Sequence, residues 1–427
     1  MAPPKGGYAP TLDKFLDSLK NRPVEASVES LISLLKRRQI TGSESCALAT
    51  AHILRQLVAR DKWLNVEQLL ERVQSVGRKL VAASPREMTI GNIVRRILGL
   101  IRDEAEEDRN EAGISTPDAH NSPTRSPLKI DSPPARTARP TFPTALSTLT
   151  RTQSMFNILA DPDLVPPNWM NGTPLASSGA STPLQNLSTN TSALRSEVLD
   201  GIEEIMDEIK QVDDQLCGYS DIIIHPGDFI LVHQPSRTIQ RFLVRSKRKF
   251  TLFVVTDPAT QSESGDQYAS LRKSLAANGS VLINVMNSGL MAYMARVNKV
   301  ILSARAVTAK GGVTVDAGAA AIARAARTQG RTVIVLGGVY KLSPDSQANQ
   351  SIATEWGDPS KYVNFSDGQL VGHVDVKNAV SEFIPAEDID TYITNLGAHS
   401  REHLHTIIND HYKEADIALD LYGKIRK

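Results

Sequence analysis

The sequence predicts an α/β protein in which a small N-terminal helical domain precedes a doubly wound parallel sheet. Three observations carry this reading. From about residue 10 to residue 108, apolar side chains recur at the 3.6-residue helical period. Residues 109–191 lose that period and fill with Ser, Thr and Pro. From residue 192 onward, short continuous β-branched runs alternate with helical patterns. That rhythm is the signature of a parallel sheet covered on both faces. The expected domains are therefore 1–108, 109–191 and 192–427.

In the first segment, Leu12, Phe15, Leu16 and Leu19 share one helical face, and Val28, Leu31, Ile32 and Leu35 repeat the pattern. Ala47–Val58, Val66–Val81 and Ile90–Ile101 follow, with Thr89 placed to cap the last of them. Five short amphipathic helices make a small helical domain. The second segment carries repeated Ser-Pro and Thr-Pro pairs, from Thr116-Pro117 to Thr182-Pro183. Without apolar periodicity it cannot offset its own ordering entropy, so a disordered linker is expected. Its Ser/Thr-Pro pairs read equally as phosphorylation sites and as chance in a Pro-rich stretch.

Order returns with an acidic helix whose stripe is Leu194, Val198, Ile202, Ile205, Met206, Ile209 and Val212. Candidate strands follow at Asp221–Ile224, Phe229–His233, Thr251–Thr256, Val281–Val285, Lys299–Ser303 and Thr332–Leu336. Helical patterns lie between them at Ser236–Arg245, Gln267–Ala277, Ser288–Val297 and Ala317–Gln329, and residues 388–427 read as helix again. Strand–helix alternation of this kind gives a Rossmann-like domain.

Composition narrows the function classes. Lys plus Arg number 48 and Asp plus Glu 47, so there is no global attraction to nucleic acid or to an anionic membrane. Neither is expected as a direct partner. The two cysteines, Cys46 and Cys217, exclude a disulfide framework and lack metal-ligand spacing. Reduced thiols in a cytosolic protein are the expectation. The residues Met1-Ala2-Pro3-Pro4-Lys5-Gly6-Gly7 introduce no signal-peptide apolar run. No apolar stretch approaches the ~20 residues that span a bilayer.

Nucleotide and hydrolase motifs are missing. Gly311-Gly312, Gly318 and Gly337-Gly338 make neither G-x-G-x-x-G nor a P-loop, and strand-end turns need glycine anyway. His399, His403 and His405 cluster in sequence without further ligands, which suggests a solvated helical surface rather than a zinc site. No metal and no cofactor is expected. Two basic clusters stand out: Lys36-Arg37-Arg38 and Arg245-Ser246-Lys247-Arg248-Lys249. Each reads as a solvated helix end, where cations complement the helix dipole. Neither has the interleaved aromatics of a single-strand nucleic-acid groove. A patch that docks an acidic protein surface stays open as the other reading.

The α/β segment carries Ile230-Leu-Val-His233, Arg296-Val-Asn-Lys-Val300 and Ile301-Leu-Ser-Ala-Arg305. Lys310-Gly-Gly312, an Ala-rich helix, Thr332-Val-Ile-Val-Leu336, Lys341-Leu-Ser-Pro344 and Asn395-Leu-Gly397 follow. In this order the pieces resemble a domain shared by two groups of proteins. One is the alpha, beta and delta regulatory subunits of eukaryotic translation initiation factor 2B. The other is the methylthioribose-1-phosphate and ribose-1,5-bisphosphate isomerases. Arg296–Val300 and Lys341–Pro344 follow the beta-type pattern. The resemblance covers nearly all the chain except the Ser/Thr/Pro-rich segment.

The resemblance implies that the reactive cysteine and aspartate of the isomerases fall at Gln234 and Arg305. Gln has no useful proton and Arg is always charged, so neither can shuttle a proton. The isomerases' Asn-Lys pair ahead of the helix glycine is Val315-Asp316 here. It further implies a non-catalytic subunit of the guanine nucleotide exchange factor for initiation factor 2. The partners would be its alpha, delta, gamma and epsilon subunits and the alpha subunit of initiation factor 2, whose phosphorylation the core senses. Lys36, Arg37 and Arg38 would help dock that subunit. Thr251, Phe253, Met286 and Asn287 would lie at the seam with a delta-type partner, although Phe253 and Met286 read equally as core residues. An alpha- or delta-type paralogue and an active sugar-phosphate isomerase are the alternatives.

Overall fold

A computed structural model describes residues 12–20, 22–111, 183–256, 268–345, 354–359, 362–363, 368 and 373–421. Most of the expected linker at 109–191 lies outside these residues. Five helices open the chain: α1 (Leu12–Leu19), α2 (Val24–Lys36), α3 (Ser43–Arg60), α4 (Val66–Ala83) and α5 (Met88–Glu111). Their apolar faces meet around α3, where Ala47, Ala49, Ala51, Ile53, Leu54, Leu57 and Val58 are fully enclosed. The start of α4 is fixed by Asn65, whose Oδ1 accepts from Gln68 N at 2.9 Å. Gln68 Oε1 reaches back to Leu64 N at 3.0 Å, closing a reciprocal cap. Thr89 is not the cap of α5: the helix begins at Met88, and the Thr89 hydroxyl donates to the Glu87 carboxylate at 2.8 Å.

The helix α6 (Pro183–Gly218) follows. Its stripe Leu194, Val198, Ile202, Ile205, Met206, Ile209, Val212 and Leu216 is buried in the same core as α3 to α5. Where α6 crosses α5, a Cβ on Gly201 would stand 2.7 Å from a Leu100 methyl, so a larger residue would have to push that side chain aside. The segment Asp221–Ile224, expected as a strand, instead carries the short helix α7 (Ser220–Ile223). Four residues of apolar pattern fit either state, and tertiary context decided it.

The sheet is built from β1 (Phe229–His233), α8 (Arg237–Arg245), β2 (Thr251–Thr256), α9 (Ala269–Ala277), β3 (Val281–Met286), α10 (Leu290–Met294) and β4 (Lys299–Ser303). A side branch holds β5 (Ala306–Thr308), β6 (Val313–Asp316) and α11 (Ala319–Thr328). Next come β7 (Thr332–Leu336), β8 (Leu342–Ser343), β9 (Glu355–Gly357), β10 (Asn378–Ile384), β11 (Thr391–Thr394) and β12 (Gly397–His399). The chain closes on α12 (Arg401–His411) and α13 (Glu414–Ile417). Residues 391–399 therefore form a hairpin, not the helix expected from residue 388 on, and the helix expected at Ser288–Val297 shrinks to α10 after one 3-10 turn.

The main sheet runs β12-β11-β7-β4-β1-β2-β3. Every pairing is parallel except β11 with β12. The chain winds outward from β1 to β3 and then returns to β4 beside β1. The order therefore reverses between β1 and β4, which opens a crevice at their carboxyl ends. Alternate side chains feed two cores. Ile230, Val232, Leu252, Val254, Ile301 and Ile334 pack toward α6 and α8. Leu231, Phe253, Val255, Val300, Leu302 and Val333 pack toward α10, α11 and α12. Burial on both faces is why these strands read as unbroken apolar runs. A second sheet, β8-β5-β6-β10-β9, was not anticipated. Four of its strands are two to four residues long, too short for a period to show, and the seven residues of β10 bury every third position rather than alternate.

Candidate functional site at the sheet crevice

The crevice between β1 and β4 is lined first by the residues that end those strands. Gln234 follows β1 with φ +38°, a left-handed conformation uncommon for a residue with a side chain. Ser236 caps α8, accepting from Ile239 N at 3.4 Å, and its hydroxyl donates to Ser303 Oγ at 3.1 Å across the crevice. His233 is buried, and its Nε2 donates to the Ala317 carbonyl at 2.8 Å. A Cβ at Gly318, where φ is +101°, would stand 2.8 Å from His233 Nε2. Glycine is thus required twice there, for its backbone angle and for the close approach.

The amino end of α11 is already occupied. Glu382 on β10 accepts from Gly318 N at 2.7 Å and from Ala320 N at 2.6 Å through one oxygen, Oε1. The free N–H groups of a helix start attract an anion, and here the chain supplies it. Arg305, just past β4, is similarly engaged. Its Nε meets Asp316 Oδ1 at 2.7 Å, and Nη1 lies 3.6 Å from Glu355 Oε2. Glu355 also pairs with Arg38 at 2.7 Å, so Asp316, Arg305, Glu355 and Arg38 form a chain of alternating charge. Arg38 Nη2 donates in addition to the Trp356 carbonyl at 3.2 Å. Through this chain the end of α2 is tied to both sheets.

A cavity of about 620 Å3 opens where these charges meet the helical domain, and Lys36, Arg38, Cys46, Glu87, Arg305 and Glu355 line it. Burial raises the Glu87 carboxyl above the usual range, opposed by its bond from Thr89 and by the Arg305 charge. Burial also pushes the Cys46 thiol well up, which keeps it protonated and unreactive. Lys341 is enclosed. Its Nζ donates to the Ala304 carbonyl at 2.9 Å, and desolvation lowers its pKa against the pull of Asp213, Glu87, Glu44 and Asp316. Arg305 and Arg38 at the crevice are each answered by a carboxylate, which suits a structural junction. Among the described residues, no group of three or more His, Cys, Asp or Glu could hold a metal ion.

The structure brings Gln234 and Arg305 to one crevice and Lys36 and Arg38 to the adjoining cavity, while Arg37 faces solvent. It does not assemble the four seam residues. Phe253 is 1% exposed, stacked on Phe229 at 6.0 Å and tilted against Tyr293 at 5.3 Å. That side chain is therefore enclosed within this chain. Met286 and Asn287 are exposed at the carboxyl end of β3, the edge strand. Thr251 pairs with Val281 at the opposite end, roughly 17 Å from Met286 along the strands. His399 is also not on a helical surface: it lies buried on β12, with Nδ1 3.2 Å from His403 Nδ1. Sequence reasoning missed Glu382 and Glu355, whose partners lie far away in the chain and leave no local spacing.

Residues 39–400 match the model of the initiation factor 2 subunit family. Translation initiation factor eIF2B subunit beta of Schizosaccharomyces pombe is 31% identical over 401 residues, covering 92% of this chain and 97% of that protein. The crystal structure of eIF2B beta from Chaetomium thermophilum is 38% identical with a TM-score of 0.64, covering 96% of this chain and 98% of that one. A chain of the tetrameric complex of two beta and two delta subunits from C. thermophilum gives 38% identity and a TM-score of 0.65, over 94% of this chain and 100% of that one. The chain belongs to the initiation factor 2 subunit family, in the branch of the initiation factor 2B beta subunits.

Proposed function

We propose that the chain is a non-catalytic regulatory subunit of the guanine nucleotide exchange factor for initiation factor 2. The observation that carries this is the state of the crevice. The positions that correspond to the isomerases' proton-transferring cysteine and aspartate hold Gln234 and Arg305, and Arg305 is bound to Asp316. Glu382 fills the helix end where an anionic substrate group would be drawn. Sugar-phosphate isomerisation lacks both its proton carriers and its anion site. The purified chain should leave ribose-1,5-bisphosphate and methylthioribose-1-phosphate unchanged. Turnover above a no-protein control, abolished by Gln234→Ala, would overturn the reading.

The regulatory role rests on partners. The edge strand β3 presents Val281, Ile283 and Met286, and Met291 follows on α10, all exposed. An unpaired apolar edge invites another chain. In this reading a delta-type subunit covers it, the alpha, gamma and epsilon subunits complete the cytosolic complex, and the helical domain meets the alpha subunit of initiation factor 2. Lys36 and Arg37, exposed at the end of α2, contribute to that contact, and phosphorylation of the alpha subunit alters it. Among the described residues no helix is long and apolar enough to cross a membrane. The test is reconstitution. Exchange measured with and without this chain should lose its inhibition by the phosphorylated alpha subunit when the chain is left out. Unchanged inhibition would refute the role. Mass spectrometry of the co-purifying complex separates this branch from alpha- or delta-type paralogues.

A further inference from the structure

The second basic cluster, at the end of α8, shapes a cleft that the proposed function does not use. A cavity of about 830 Å3 lies between the carboxyl end of α6, α8 and one face of α9. Its floor is apolar, with Val244, Leu271 and Cys217. Arg241, Arg245 and Lys247 give it a cationic rim, against which Asp214 is the one acidic lining residue among those described.

The three cations differ in what holds them. Arg241 is fixed by Asp213 at 3.4 Å and by a closer contact to Asp214, so its charge is answered internally. Arg245 and Lys247 make no ion pair among the described residues and are exposed. The nearby carboxylate of Asp221 does not answer them. It accepts from the Ser246 hydroxyl at 3.2 Å and from Lys247 N at 3.1 Å, holding the backbone that presents Lys247. Asn278 Nδ2 donates to the Val244 and Ser246 carbonyls at 3.3 and 3.5 Å, which braces the end of α8 against α9. Ser270 and Ser274 add hydroxyls on the far wall. The cleft is thus braced on both sides and carries two uncompensated positive charges over an apolar floor.

We propose that this cleft receives an acidic segment of a partner protein. An apolar side chain of that segment would sit on the half-buried Val244, with carboxylates beside it at Arg245 and Lys247. Charge complementarity selects an anionic occupant. The apolar floor selects one with a hydrophobic anchor. No aromatic side chain lines the cleft, so it offers no stacking surface to single-stranded nucleic acid.

The test uses the full chain and a fluorescein-labelled peptide of glutamates around a central Leu-Leu pair, read by anisotropy at low salt. Arg245→Glu with Lys247→Glu should weaken binding about tenfold or more, since two rim contacts turn repulsive. Arg78→Glu with Lys79→Glu, exposed on α4 and outside the cleft, should leave it unchanged. An all-glutamate peptide should bind several-fold more weakly. Circular dichroism checks each variant. If the double reversal fails to fold, Arg245→Gln with Lys247→Gln should show the same direction with a smaller loss. Undiminished binding by a folded cleft variant would overturn the proposal. So would equal affinity for the all-glutamate peptide or for an oligouridylate of the same charge.

Discussion

Arg95 sits in α5 with 1% of its surface exposed, and it ties that helix to Asp345 and to the carbonyls of Asp416 and Leu419. Its Nη1 and Nη2 grip Asp345 at 2.7 and 3.1 Å, Nε donates to the Asp416 carbonyl at 3.1 Å, and Nη2 also reaches the Leu419 carbonyl at 3.5 Å. Arg95→Met keeps the aliphatic stem and removes the charge, so packing loss is small and electrostatics dominate. Breaking a buried pair by removing one partner costs about 3–5 kcal/mol, because the other charge is left in a poor solvent. Asp345 is slightly exposed and also bonded by Ser343 Oγ at 3.4 Å, which places the expected cost toward ~3 kcal/mol. That is a large share of the ~5–15 kcal/mol that stabilises a folded domain. Arg95→Met with Asp345→Leu removes both charges and should recover much of the loss, although two carbonyls still miss their donor. Urea unfolding followed by circular dichroism measures each variant. A loss under ~1 kcal/mol for Arg95→Met, or a double variant no more stable than the single, would refute the argument.

Met286→Asp should yield a folded chain that fails to form a full-mass heterodimer with a delta-type subunit by light scattering, whereas Phe253→Asp should unfold the chain, because its site is internal. Reversing Lys36 and Arg37 to Glu should weaken binding of the alpha subunit of initiation factor 2 and flatten its salt dependence, and an unchanged salt series would leave them as plain surface charge. Burial and then the His403 charge hold the His399 pKa below the usual histidine range. The unfolded chain therefore takes up this proton first as pH falls through about 6.5, and the folded state loses stability below that point. The melting temperature of His399→Gln should accordingly drop less than that of the natural chain between neutral and mildly acidic buffer. Equal drops would show that His399 does not contribute.

The sequence determined the elements whose pattern is local. The helices α1 to α5 and the stripe of α6 follow from the 3.6-residue recurrence of Leu, Ile and Val, because a helix buries one side and repeats it every turn. The strands β1, β2, β4 and β7 follow from unbroken apolar runs, because both of their faces are covered. The family resemblance was also legible, since it rests on short motifs in fixed order.

Tertiary structure decided the rest. Phe253 and Met286 belong to two parallel strands of similar composition, and only the edge position of β3 leaves one enclosed and the other in solvent. The second sheet pairs β6 with β10 across more than sixty residues, Val313 lying opposite Ile384. Strands of a few residues at that separation carry no periodicity. The charge chain from Arg38 through Glu355 and Arg305 to Asp316, and the carboxylate of Glu382 on α11, unite residues from distant parts of the chain. A charged side chain in a sequence looks the same whether it is solvated or paired. Its partner is set by which strands and helices the fold brings within a few ångströms, and that is a property of long-range packing rather than of local spacing.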